Sequence, residues 1–283
     1  MQTTSPAKTL EVQDGQMLPP LPSRSAKAAS DLFLGLMKSW LWTAMAMQDI
    51  RLRYRGSLLG PFWLTLSSAI MIGSMGFIYA KLFHIDVERY LPFLAVGLVV
   101  WQFISSLIIE GCQTFLAAQN IILQAPMPFS VHCYRVVYRN FIVLAHNFVI
   151  VLVVLLVFRT SVGWDVALIL PGLLLLAIVG FCFSMFFGMI SARFRDIPPI
   201  VASFVQVLFF ITPIFWPVDQ LGSFQLIGQL NPAFAAIDVI RAPLLGVPLA
   251  PYSWPVLITT TVITAAFTFA FFSRLRSRIA YWI

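Results

Sequence analysis

The 283 residues are 60% hydrophobic and only 10% charged, with a mean hydropathy of +0.90, whereas a soluble domain carries about 25% charged residues. So few polar residues cannot cover a water-facing surface, and the composition excludes an ordinary soluble fold. The net charge of +7 is dispersed in small groups beside apolar runs, which suits a membrane surface and argues against nucleic acid as a partner.

Residues 1–30 are rich in Pro, Ser, Ala and Thr and hold no apolar stretch of signal-peptide length. They read as a disordered cytoplasmic tail. From Asp31 to Asp49, with Ser30 as the cap, Leu34, Met37, Leu41 and Met45 recur on one helical stripe, with Trp40 and Trp42 nearby. This predicts an amphipathic helix that lies in the cytoplasmic interface or packs on the ends of the spans, within a unit covering residues 31–56.

Six segments are long and apolar enough to cross a hydrocarbon core about 30 Å thick. They are Leu58 to Phe83, Leu91 to Ile109, Phe141 to Phe158, Val166 to Ile190, Ile197 to Trp216 and Trp254 to Phe272. The fold class is therefore an all-α integral membrane protein with six spans over residues 57–283. With the N-terminus inside, fourteen basic residues lie on the cytoplasmic side, and only Lys81, Arg89, Arg159 and Arg241 lie outside. That bias places both ends in the cytoplasm.

Two connections are more than loops. In residues 112–135, a helical segment from Asn120 is stopped by Pro126 and Pro128 and leaves Ile121, Ile122 and Leu123 without a core of their own. It reads as a docking element or as a helix folded back on the membrane. In residues 217–253, Asn231 caps a helix opening with Pro232. Ala233, Ile237, Ile240 and Leu244 form its apolar stripe, with Asp238 and Arg241 paired on the other face. Together with Phe224 to Leu230, this predicts two short helices dipping into the outer leaflet.

No lysine follows a glycine, so there is no phosphate-binding loop. Cys112, Cys133 and Cys182 stand apart as free thiols, no metal set is spaced in the chain, and no catalytic grouping is visible. His146 beside Asn147 is one intramembrane polar pair, read as a helix–helix hydrogen bond or a pathway element. Glu110, at the inner end of the second span, reads as solvated at the headgroups or as a sensor of substrate or ion.

Arg53-Tyr-Arg-Gly-Ser-Leu-Leu-Gly-Pro-Phe-Trp63 resembles the approach to the first span in the ABC-2 type permeases that export bacterial cell-surface polysaccharides. Arg193-Phe-Arg-Asp-Ile197, Thr212-Pro-Ile-Phe-Trp-Pro-Val218, Leu230-Asn-Pro232 with Ile240-Arg241, and Arg276-Ser-Arg-Ile-Ala-Tyr-Trp-Ile283 follow in that family's order. The loop departs from the pattern at Leu123 and Gln124, where the family often carries Lys.

The resemblance implies a homodimer in the bacterial inner membrane, held by two copies of an ATPase subunit that binds ATP and Mg. This chain itself would carry no cofactor and no enzymatic activity. The dimer would pass an undecaprenyl-linked polysaccharide, most plainly an O-antigen, among membrane lipids. Capsular polysaccharide, teichoic acid, or a small lipid or drug are the alternative cargoes, and a membrane enzyme acting on polyprenyl-linked sugars is the rival class. By the same resemblance, Asn120, Ile121, Ile122, Leu123, Gln124, Ala125 and Pro126 form the ATPase-coupling helix. Arg51, Arg53, Tyr54, Arg55, Arg195 and Asp196 mark the cytoplasmic mouth, and Phe224, Ile227, Asn231, Pro232, Ile237 and Arg241 the periplasmic gate.

Overall fold

The structure, a computed structural model, describes residues 23–55, 62–160 and 163–283, the side chain of Leu64 excepted. Residues 1–22 of the tail expected over residues 1–30, and residues 56–61 with the expected start of the first span at Leu58, lie outside the described residues, while residues 24–30 of that tail are helical. The described residues are mostly helical and contain no strand.

The amphipathic helix expected from Asp31 to Asp49 is two helices, α1 (Arg24–Met37) and α2 (Ser39–Arg53), broken at Lys38. Helix α1 begins earlier than expected because Ser23, not Ser30, meets a free N–H of its first turn: Ser23 Oγ accepts from Ala26 N at 3.1 Å. Its buried face is also not the apolar stripe. Ala28, Asp31 and Gly35 are buried, while Leu34 and Met37 stay exposed. Close approach decides this, since a Cβ on Gly35 would lie 2.1 Å from Ser130 Oγ.

Among the described residues, five helices are long and apolar enough to cross a membrane: α3 (Phe62–Phe83), α4 (Val87–Cys112), α6 (Ser130–Val157), α7 (Ile169–Arg193) and α11 (Ser253–Leu275). Between them lie α5 (Gln119–Gln124), α8 (Ile197–Ile211), α9 (Gln225–Gln229) and α10 (Pro232–Leu245), and α12 (Ile279–Trp282) ends the chain. Helix α4 is central and packs on α3, α6, α7, α8 and α10. Its run from Leu94 to Trp101 is buried on every side, as expected of a helix that is apolar all round.

The segment expected as the fifth span, Ile197 to Trp216, is a 15-residue helix, α8, followed by the irregular run Thr212 to Trp216. Such a helix rises about 22 Å, short of the hydrocarbon thickness. Residue contacts define two ends of the bundle. At the basic end, Arg53 of α2 meets Glu110 of α4, and Arg276 after α11 meets Asp31 of α1. At the opposite end, Tyr90 near the start of α4 donates to the carbonyl of Phe215, and Ser253 at the start of α11 donates to Asp238 of α10.

Candidate functional site

At the basic end, two acids join three helices through arginines. Asp49 of α2 accepts from Arg135 and, at 2.6 Å, from Arg139. Both arginines belong to α6, where i, i+4 spacing puts them on one face. Glu110 of α4 accepts from Arg139 at 2.7 Å, from Arg53 at 2.7 Å and from Asn140 at 2.8 Å. Burial works against the Asp49 carboxylate, but hydrogen bonds and charge from Arg135 and Arg139 outweigh it and hold its pKa below the ordinary carboxylate value. Burial likewise disfavours the Arg53 guanidinium, and Glu110 reverses this, raising its pKa.

Above this clamp, α3, α4 and α6 enclose a cavity of about 370 Å3. Ser67, Ser68, Gln102, Ser106, Asn140 and Asn147 bring amides and hydroxyls into a lining shared with Met71, Val99, Phe103, Val143 and Leu144. Ser68 Oγ and Asn147 Nδ2 each donate to Gln102 Oε1 at 3.2 Å, and Thr65 Oγ1 donates to Asn147 Oδ1 at 3.4 Å. Asn140 lines the cavity while donating to Glu110, so cleft and clamp share a residue. No group in the cleft is charged, and its amides and hydroxyls are suited to exchanging hydrogen bonds with hydroxyl-rich molecules.

The opposite end is closed by α10, which is buried on nearly all sides. Asn231 caps it as its sequence predicts, accepting from Ala233 N at 2.9 Å, and it also donates to Thr212 Oγ1 at 3.0 Å. Asp238 and Arg241 do not pair, and neither lies on an exposed face. Asp238 accepts from Ala250 N at 3.0 Å and Ser253 Oγ at 2.6 Å. Arg241 Nη1 donates to the carbonyls of Pro213 and Ile214 at 3.3 and 3.5 Å, and the guanidinium lies 4.0 Å from the Phe93 ring centroid. Carbonyls freed where α8 stops short draw the cation away from its helical neighbour.

The residues expected at the cytoplasmic mouth separate. Arg53 enters the clamp and Tyr54 is half-buried, whereas Arg51, Arg55, Arg195 and Asp196 are exposed and make no ion pair among the described residues. The expected gate residues also divide, with Phe224 and Ile227 exposed, Ile237 and Arg241 buried, and Asn231 and Pro232 at the start of α10. In the coupling segment, Asn120, Leu123, Gln124 and Pro126 are exposed, Ile121 and Ala125 are half-buried, and Ile122 packs on the cluster around Phe115.

His146 and Asn147 part company, because adjacent residues on a helix point about 100° apart. His146 is exposed and bonds the Ile142 carbonyl, and Asn147 enters the cleft. Glu110, expected to be solvated at the headgroups or to sense substrate or ion, is clamped by Arg53 and Arg139. Asp31 was not singled out, yet it accepts from the N–H groups of Phe129 and Ser130 and pairs with Arg276 at 2.8 Å. It thereby caps α6 from another helix. The only trace of these sites in the sequence is an acid or amide among the basic residues at span ends. Among the described residues no three His, Cys, Asp or Glu gather to hold a metal.

The family model for ABC-2 type transporters matches residues 41–245, from α2 to the end of α10. The chain belongs to the ABC-2 type transporter family. The permease is a multi-pass membrane transport subunit, with the polar cleft, the clamp and the α10 closure all lying within the matched residues. It is 24% identical over 249 residues to the O-antigen export system permease protein RfbA of Klebsiella pneumoniae, covering 85% of this chain and 93% of that protein. It is 26% identical over 213 residues to the protein of the same name from Myxococcus xanthus, covering 71% and 79%.

Proposed function

We propose that this permease moves an undecaprenyl-linked polysaccharide of the O-antigen type across the bacterial inner membrane as a homodimer driven by two ATPase subunits. The observation that carries this reading is the uncharged polar cleft of Ser67, Ser68, Gln102, Ser106, Asn140 and Asn147, inside an apolar bundle and joined through Asn140 to the clamp. A polymer of sugars must exchange water for protein hydrogen bonds and then release them. Neutral amides and hydroxyls permit this, whereas a row of buried charges would bind more strongly than passage allows. The names of the relatives support the same cargo.

The membrane arrangement follows from the ends of the bundle. Helix α7 stops at the basic end and α11 starts at the opposite one, so the chain between them must traverse the bundle. Helix α8 and the run to Trp216 make that sixth crossing, with Arg241 and Tyr90 satisfying the carbonyls of the non-helical part. Six crossings put both termini on one side, and the basic residues make it the cytoplasm. Helix α8 buries only Val201 and Val205 and exposes Ile200, Phe204, Val207 and Phe210, a face suited to the second copy. ATP and Mg belong to the partner, which engages α5 through Leu123.

Two measurements test the proposal. Deleting the gene should abolish surface polysaccharide while lipid-linked polymer accumulates inside, and the tagged permease should co-purify with an ATPase subunit. Unchanged surface polymer in the deletion strain would overturn the cargo, and absence of any ATPase complex would overturn the motor.

A further inference from the structure

Arg24 and Lys27 of α1, Arg274 in the last turn of α11, and Arg276 and Arg278 just after it line one open cavity of about 300 Å3, with Ser273 and Ser277. No acid lines it. Asp31 engages Arg276, but among the described residues Arg24, Lys27, Arg274 and Arg278 make no ion pair. Segments some 250 residues apart in the chain therefore bring their cations around one hollow.

A positive-inside bias requires basic residues on one side of the membrane and does not require them to converge. Convergence raises mutual repulsion, and the first turn of α1 supplies no acid to offset it. We propose that this cavity binds the phosphate group of an anionic membrane lipid. Guanidinium forks match phosphate oxygens two at a time, and the Ser277 hydroxyl adds a donor, that of Ser273 being given to the Ala270 carbonyl. Further along α1, Phe33, Leu36 and Met37 are exposed and offer apolar surface to the acyl chains of the same lipid layer. Through the Asp31–Arg276 pair, the bound phosphate would brace α1 against α6 and α11. This site is independent of the polymer cleft and does not depend on what the permease exports.

The full-length chain in nanodiscs provides the test, with retained lipid counted by native mass spectrometry. Wild type is expected to retain phosphatidylglycerol over phosphatidylcholine. The variant R24Q/K27Q/R274Q/R278Q leaves the Asp31–Arg276 pair intact and should weaken that preference by about tenfold or more. Soluble pyrophosphate should displace retained phosphatidylglycerol from wild type. An unchanged preference in the variant would overturn the site. Binding of pyrophosphate without any preference for phosphatidylglycerol would overturn the lipid as its source. If the quadruple variant unfolds in phosphatidylcholine discs, R274Q/R278Q serves in its place and should lose part of the same preference.

Discussion

Glu110 on α4 and Arg139 on α6 meet at 2.7 Å with both side chains largely buried, and Arg139 reaches from there to Asp49 on α2 at 2.6 Å. One guanidinium thus ties α2 to α4 and α6. Replacing Glu110 with Gln would leave Arg53 and Arg139 facing each other without their acid, and should destabilise the permease by about 2 kcal/mol. Denaturant unfolding in detergent measures this, and Glu110→Asp should recover part of the loss.

The clamp also sets a dependence on pH. The folded-state pKa of Asp49 lies below its unfolded value, so its stabilisation is fully present above the ordinary carboxylate range and fades as pH falls through the lowered value. The thermal stability of wild type should therefore fall on strong acidification, and the part of that loss due to this carboxylate should vanish in Asp49→Asn. An identical pH profile for the two proteins would remove Asp49 from the clamp's energetics.

Helix α4 passes unusually close to the irregular run after α8. A Cβ on Gly97 would lie 2.9 Å from the Ile214 carbonyl oxygen, a backbone atom that cannot rotate away. Gly97→Ala should cost about 1–3 kcal/mol, and Gly97→Leu should prevent the opposite end from closing. Protease sensitivity between Thr212 and Trp216 reads this out.

Asp238 and Arg241 hold different partners, so exchanging them will not restore what either single change loses. Asp238→Arg combined with Arg241→Asp should be at least as unstable as Arg241→Ala. Recovery in the exchanged protein would show that the two residues pair after all.

On α5, Leu123 is 62% exposed whereas Ile122 packs on the cluster that includes Phe115 and Met189. Leu123→Asp should abolish ATPase co-purification with the subunit's stability unchanged, and Ile122→Asp should lower that stability. Undiminished co-purification of Leu123→Asp would dissociate α5 from the motor.

The long spans, the Asn231 cap and the halt of α5 before Pro126 were legible because each rests on composition or on neighbours within a few residues. The clamp was only half legible. Arg53 and Glu110 each stand out in the sequence, but nothing local joins them to Asp49 or to Arg135 and Arg139 of α6. The reading of Asp238 with Arg241 failed for a related reason, since i, i+3 spacing permits a pair but does not decide against carbonyls left bare by a short helix.

The sequence by itself determined that this chain lives in lipid, how its apolar runs are spaced and which end is basic, because hydrophobic length and charge act segment by segment. Only the tertiary structure decided that Asn147 faces a cleft while His146 faces outward, that Asp31 caps a helix 98 residues away, and that Arg241 turns to the carbonyls after α8. Buried polar groups take whatever partner lies within hydrogen-bond reach, and packing alone sets that reach.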